Sequence, residues 1–201
     1  MKRATPYNRE LALEAALDLF WRKGYHATSL KDLEQALSMK PGSIYAAFKS
    51  KRALYLACLD RYFHAGLDDF SNAVAQAPSY LEGLASYLRG FGAVKSPQAR
   101  ARACIVVKTA LNATDEDAQL HEQSQIYLRR MRSEFEQCFK KAQAAGEMSE
   151  EVDPAQLAVQ YQADLTALRI EAQHALDADA LKWLADRKAD AVLALGQTQS
   201  A

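Results

Sequence analysis

Between residues 24 and 55 the chain reads GYHATSLKDLEQALSMKPGSIYAAFKSKRALY, and this run limits the fold more than any other stretch. Thr28 and Ser29 stand where a hydroxyl satisfies free backbone N–H groups, so they cap a helix. Ser29 and Asp32 also have the spacing of a capping box. Leu30, Leu33 and Leu37 recur at three and four residues and give that helix one buried stripe. Helical order stops near Ser38 and Met39. Lys40-Pro41-Gly42 then restarts the chain, with proline in the first turn, where its missing N–H is no loss. In the helix that follows, Ile44 and Phe48 supply the buried face while Ser43, Tyr45, Ala46 and Lys49 point elsewhere. Two helices of about two turns each, joined by a short turn, make a helix-turn-helix, which lays its second helix in the DNA major groove. Two short helices also occur as plain parts of helical bundles, so the flanking sequence decides.

That flank is a preceding helix, Leu11 to Lys23, with Ala12, Ala16, Leu19 and Phe20 on one face and Gly24 as a left-handed cap. A long helix follows from Lys51 to Ala77, with Leu54, Leu59, Phe63 and Phe70 among its apolar positions, and Pro78 ends it. Further helices are expected over 80–93, 103–112, 115–146, 154–176 and 180–195, with a loop around Lys95-Ser96-Pro97. The chain is therefore read as all-α with about nine helices. Its 49% hydrophobic content and scarcity of Gly (8) and Pro (5) in 201 residues suit that class.

Formal net charge is zero, which gives no general attraction to nucleic acid. The distribution does. Residues 1–64 hold 11 Lys/Arg and 6 Asp/Glu, a net of +5, and residues 65–201 hold 14 and 19, a net of −5. Positive charge thus accompanies the helix-turn-helix, and phosphate attraction supplies most non-specific affinity for DNA. No run approaches a membrane span. The first ten residues lack the apolar core of a signal peptide. Three cysteines at wide spacing form neither a disulfide framework nor a zinc pattern, so a reduced, cytoplasmic protein without membrane contact is expected.

Leu19-Phe20, Gly24-Tyr25, Thr28-Ser29, Gly42-Ser43-Ile44-Tyr45, Phe48 and Ser50-Lys51 occur in that order, and in this the chain resembles the TetR family of transcriptional repressors. The motif covers about the first 60 residues; the rest is similar to the family in length and helical content. The resemblance implies a helix-turn-helix DNA-binding domain over residues 1–50 and an effector-binding and dimerisation domain over 51–201, linked by the helix 51–77. It implies a homodimer that binds a near-palindromic double-stranded operator and leaves it on a small-molecule, oxidant or electrophile signal.

Within the head, Lys40 and Lys49 flank the reading helix and are expected at phosphate or guanine edges, with Pro41 and Gly42 at its start. Ser43 and Ala46 allow close approach to bases. Thr28 and Ser29, at a helix amino terminus, are expected at a phosphate. Tyr45 and Lys51 match family positions that contact phosphate, although core packing is the other reading of Tyr45.

The last two helices carry apolar residues on more than one face, as helices do when they cover a partner as well as a core. Leu157, Tyr161, Leu165, Leu168, Leu181, Leu184, Val192 and Leu195 are the expected dimer interface, following the family's pairing of its last two helices. Completing the monomer core is the alternative.

The signal is less constrained. Cys104 lies in an apolar helix in a context similar to that of family members that detect electrophiles or oxidants, with Ala103 and Lys108 standing where those carry glycine and asparagine. Lys108, one turn on, favours the reactive thiolate; the other reading is an inert buried cysteine. A non-covalent apolar or aromatic ligand would instead lie among Tyr87, Phe91, Tyr127, Met131, Tyr161 and Trp183, residues that could also be plain core. Four scattered histidines make no metal site, and no cofactor is expected. No phosphate-cradling glycine loop, supported carboxylate pair or local cysteine–histidine pattern points to an enzyme. A constitutive DNA-binding protein without effector and a cysteine-dependent enzyme remain the rival classes.

Overall fold

The structure is a computed structural model that describes residues 8–93, 104–112, 117–173 and 177–199. The expected loop at Lys95-Ser96-Pro97 lies outside the described residues. Among those described there are nine α-helices and no strand: α1 Arg9–Lys23, α2 Leu30–Leu37, α3 Pro41–Phe48, α4 Lys51–Gln76, α5 Tyr80–Gly92, α6 Ile105–Asn112, α7 Ala118–Ala144, α8 Pro154–Gln173 and α9 Ala178–Leu193. A short 3-10 turn, Ala194–Gln199, follows. The all-α expectation holds, with boundaries within a few residues of the sequence pattern. No helix among the described residues is long and apolar enough to cross a membrane.

The chain forms two compact units, one up to His64 and one from Ala65, so the boundary falls inside α4. In the first unit, Asn8 caps α1 by accepting from the N–H of Glu10 and Leu11. The helix ends where the Gly24 N–H donates to Phe20 O at 2.8 Å. Gly24 has φ 83° and ψ 161°. That is not the left-handed helical cap expected but an extended mirror-image conformation open essentially to glycine alone. α1, α2, α3 and the first part of α4 bury Ala16, Phe20, Leu33, Ile44, Leu54 and Leu59, each at most 3% exposed. Phe20 meets the Tyr55 ring edge-on, centroids 4.8 Å apart, and Trp21 does the same to Tyr62 at 5.1 Å. Such pairs add about 0.5–1.5 kcal/mol beyond their burial.

In the second unit, Leu84, Leu88, Phe135, Phe139, Tyr161, Leu168, Leu181 and Ala185 make one continuous core. α5 packs most extensively on α9. The two backbones can approach because residue 92 has no side chain: a Cβ on Gly92 would lie 2.9 Å from both Ala185 Cβ and Lys182 Cα. Glu147 closes the start of α5, its carboxylate accepting from the N–H groups of Tyr80 and Leu81 at 2.9 and 2.8 Å.

Candidate nucleic-acid interface

The face of α3 is decided by two buried anchors. Ile44 and Phe48, 3% and 5% exposed, hold the helix to the head. Their burial leaves Lys40, Pro41, Gly42, Ser43, Tyr45, Ala46 and Lys49 exposed together. Tyr45 is 48% exposed, so its core reading is excluded. Lys40 is the N-cap residue but makes no side-chain capping hydrogen bond, and Pro41 follows in the first turn. The start of the helix therefore presents its partial positive charge beside a lysine, an arrangement suited to an anion. The α2–α3 turn is closed locally: Ser38 adopts the left-handed conformation, and the Ser38 and Met39 N–H groups both donate to Glu34 O.

Three residues expected at phosphate are engaged within the protein. Thr28 is 1% exposed, and its hydroxyl donates to Gly24 O at 2.6 Å. Lys51 donates from Nζ to Tyr25 O and Thr28 O, both at 2.9 Å, and lies over the Tyr25 ring, 4.5 Å from its centroid. Sequence reasoning placed both outward because the motif marks their positions, not the side-chain direction. Ser29 is exposed but tied into a full capping box: its N–H and hydroxyl donate to Asp32 Oδ2 at 2.8 and 2.6 Å, and its Oγ accepts from Asp32 N–H at 3.2 Å. Lys23 reaches the same carboxylate at 2.6 Å. The Lys23 ammonium first, then the Ser29 groups, hold the Asp32 carboxyl well below the usual carboxylate range. The start of α2 thus carries its own anion. Lys31, two residues after the Ser29 cap, is exposed in the first turn of α2 and adds a cation to those the sequence pattern singles out.

In the second unit Tyr87, Phe91 and Tyr161 are close to one another, but as core. Tyr87 packs edge-on against Phe70 and Phe91, centroids 5.3 Å from each, and its hydroxyl donates to Gly66 O at 3.4 Å. Tyr161 donates to Leu84 O at 2.7 Å. Burial pushes both phenols above their ordinary range. The Arg169 guanidinium stands 5.0 Å over the Phe91 ring and also reaches the Tyr87 hydroxyl. Met131 is half-buried against the same core, and Tyr127 is buried. Trp183, 64% exposed, lines no interior. Cys104 is 5% exposed at the start of α6, with Lys108 half-buried one turn on. Cys58 and Cys138 are buried, and that burial pushes each thiol up to about 12, which leaves them without thiolate at neutral pH. Among the described residues no cluster of three or more His, Cys, Asp or Glu could hold a metal.

The residues expected at a dimer interface lie mostly elsewhere. Tyr161, Leu165, Leu168, Leu181 and Val192 belong to the core of their own protomer, and Leu157, Leu184 and Leu195 pack half-buried against it. Periodicity found the inward stripe. The outward stripe of α8 is Val159, Ala163, Ala167 and Ile170, and α9 exposes Trp183, Arg187 and Ala191. Val159 and Ile170 are 50% and 40% exposed.

A family model for bacterial regulatory proteins of the tetR family matches residues 12–58, and one for the tetracyclin repressor-like C-terminal domain matches residues 81–187. The HTH-type transcriptional repressor ComR of Escherichia coli (strain K12) is 48% identical over 56 residues, a match covering 28% of this chain and only 27% of ComR. YezE of Bacillus subtilis (strain 168), an uncharacterized HTH-type transcriptional regulator, is 25% identical over 184 residues, 90% of this chain and 94% of YezE. A solved structure of a cysteine mutant of the TetR family transcriptional regulator CifR, complexed with 26bp double-strand operator DNA, superposes with a TM-score of 0.82. It is 29% identical and covers 94% of this chain and 99% of that one.

Proposed function

The chain belongs to the TetR family of bacterial regulatory proteins, and from that premise we propose that it is a homodimeric transcriptional repressor, acting in the cytoplasm, that releases a near-palindromic operator when a signal reaches its second unit. The observation that carries the reading is the open face of α3. Lys40, Ser43, Tyr45, Ala46 and Lys49 are exposed together over the buried Ile44 and Phe48, and CifR, a relative of this fold, was solved on operator DNA. Ser43 and Ala46 would face base edges, and Lys40, Tyr45, Lys49 and Lys31 would meet phosphate. Thr28, Ser29 and Lys51 would hold the α1–α2 loop and the start of α2 rather than contact DNA.

Dimerisation is assigned to the outward stripe of α8 and α9, with Val159, Ile170 and Trp183 as anchors. Two reading helices about 34 Å apart would then engage successive major grooves on one side of the duplex. α4 carries residues of both compact units in one continuous helix, which makes the segment from Lys51 to Gln76 the route for a signal. The signal must prefer the released state. A hundredfold loss of operator occupancy needs a differential affinity of about 2.7 kcal/mol.

Cys104 is buried at the start of α6 with Lys108 one turn on, and this supports a signal in the second unit, either a thiol modification or a non-covalent ligand. One experiment tests the whole reading: binding to the DNA upstream of the protein's own gene at fixed salt, with and without hypochlorite or N-ethylmaleimide. Specific binding that is lost on treatment, and survives treatment in Cys104→Ser, supports a thiol switch. Specific binding indifferent to both reagents directs the search to a non-covalent effector. Binding with no sequence preference on any genomic fragment would sink the repressor reading.

A further inference from the structure

Resting on the reading that α3 meets DNA, we propose that Lys49 is a positioning residue, whose strained turn fixes the angle between the reading helix α3 and the helix that follows it. Lys49 has φ 66° and ψ −48°, and the Ser50 N–H donates across it to Phe48 O at 2.7 Å. This is a three-residue γ-turn in its positive-φ form, which is rare and strained for a residue with a side chain. Among the described residues the other non-glycine with positive φ is Ser38. Its φ 52° and ψ 37° lie in the ordinary left-handed region that ends many helices. Lys49 has no such conventional excuse.

Its neighbours hold it there from both sides. The Lys49 N–H donates to Tyr45 O at 2.8 Å and ends α3, while the buried Phe48 pins the last turn to the core. On the far side Ser50 Oγ accepts from Ala53 N–H at 3.0 Å and caps α4. The Lys51 ammonium is then fastened to the carbonyls of Tyr25 and Thr28. Two residues, Lys49 and Ser50, therefore turn the chain between two anchored helices, and Lys49 takes the strained part of the bend. Glycine would make the turn without strain, but would leave the angle free to vary. A side chain there trades stability for a fixed direction of α3, and backbone strain of this kind collects at working sites.

The test uses the full chain with Lys49→Ala, Lys49→Gly and Lys49→Arg. Thermal unfolding is measured beside affinity for a duplex enriched by in vitro selection on the wild type, and for a scrambled duplex. Lys49→Arg should behave as wild type. Lys49→Ala removes a charge and keeps the turn, so it should weaken both duplexes by a similar factor and leave their ratio unchanged. Lys49→Gly should melt higher than Lys49→Ala yet show a selected-to-scrambled ratio about threefold below that of Lys49→Ala, the size of the conformational freedom glycine adds. A glycine variant with the ratio of the alanine variant would overturn the positioning role. One that melts no higher would overturn the strained turn. A wild type for which selection enriches no sequence would remove the DNA reading and this inference with it, whereas failure of the glycine arm alone leaves that reading standing.

Discussion

The Lys51 ammonium lies 2.9 Å from the carbonyl oxygen of Thr28 and the same distance from that of Tyr25. One side chain at the start of α4 thus fastens the loop between α1 and α2 in place. Lys51→Met keeps the aliphatic stem and removes the donors, which should cost about 1.5–3 kcal/mol, the range for hydrogen bonds to a charged group. A phosphate contact would instead lower the salt slope of DNA binding by about one and leave unfolding unchanged. Denaturant unfolding and a salt titration of binding on the same variant separate the two.

The Asp32 carboxyl is held below the usual carboxylate range, first by Lys23 and then by Ser29. A depressed folded-state pKa means that the stabilisation is complete above the unfolded value of about 3.9 and is lost as pH falls through the lower, folded value. Asp32→Asn should lower the melting temperature near neutrality. The gap to wild type should narrow progressively as pH falls below about 4. A gap that stays constant down to the acid limit would detach Asp32 charge from head stability.

These two residues also mark what could be read from sequence. The capping box was legible in Ser29 and Asp32 because it is local: four residues, one helix end, fixed spacing. Ile44 and Phe48 were legible because two large apolar residues one turn apart leave a short helix a single buried face. Lys51 was not, since its partners are 23 and 26 residues away and its spacing is that of a surface lysine. Tyr87 and Tyr161 were not, since the same aromatic spacing serves a ligand site or a core, and only the hydrogen bonds to Gly66 and Leu84 carbonyls decide.

Gly92 should resist even the smallest addition. A Cβ there meets Ala185 Cβ and Lys182 Cα at 2.9 Å, and one of these is backbone of a packed helix that cannot step aside alone. Gly92→Ala should destabilise by about 1–3 kcal/mol through overpacking, despite alanine's better helix propensity. Gly90, in the same helix with open space around its Cβ position, supplies the control: Gly90→Ala should be neutral or stabilising. Equal effects at the two positions in denaturant unfolding would refute the close approach of α5 and α9.

Leu168 and Ile170 stand two residues apart on α8 and should fail in opposite ways. Leu168 is 0% exposed in the core of its own protomer and Ile170 is 40% exposed, because a two-residue step on a helix turns to nearly the other side. Leu168→Ala opens a cavity among side chains that cannot fully relax and should cost about 2–5 kcal/mol. Sedimentation of the fraction still folded should find the same oligomer as wild type. Ile170→Glu leaves the protomer core untouched and should melt close to an isolated wild-type protomer. Its charge would be buried without a partner in a two-fold interface, a penalty incurred twice by symmetry. It should therefore sediment as a monomer at concentrations where wild type is paired. Operator affinity should fall by about 10²–10⁴, since each head then binds without the effective concentration the other supplies. A dimeric Ile170→Glu with unchanged operator binding would move the interface off this face of α8, leaving the α9 stripe around Trp183 to be tested in the same way.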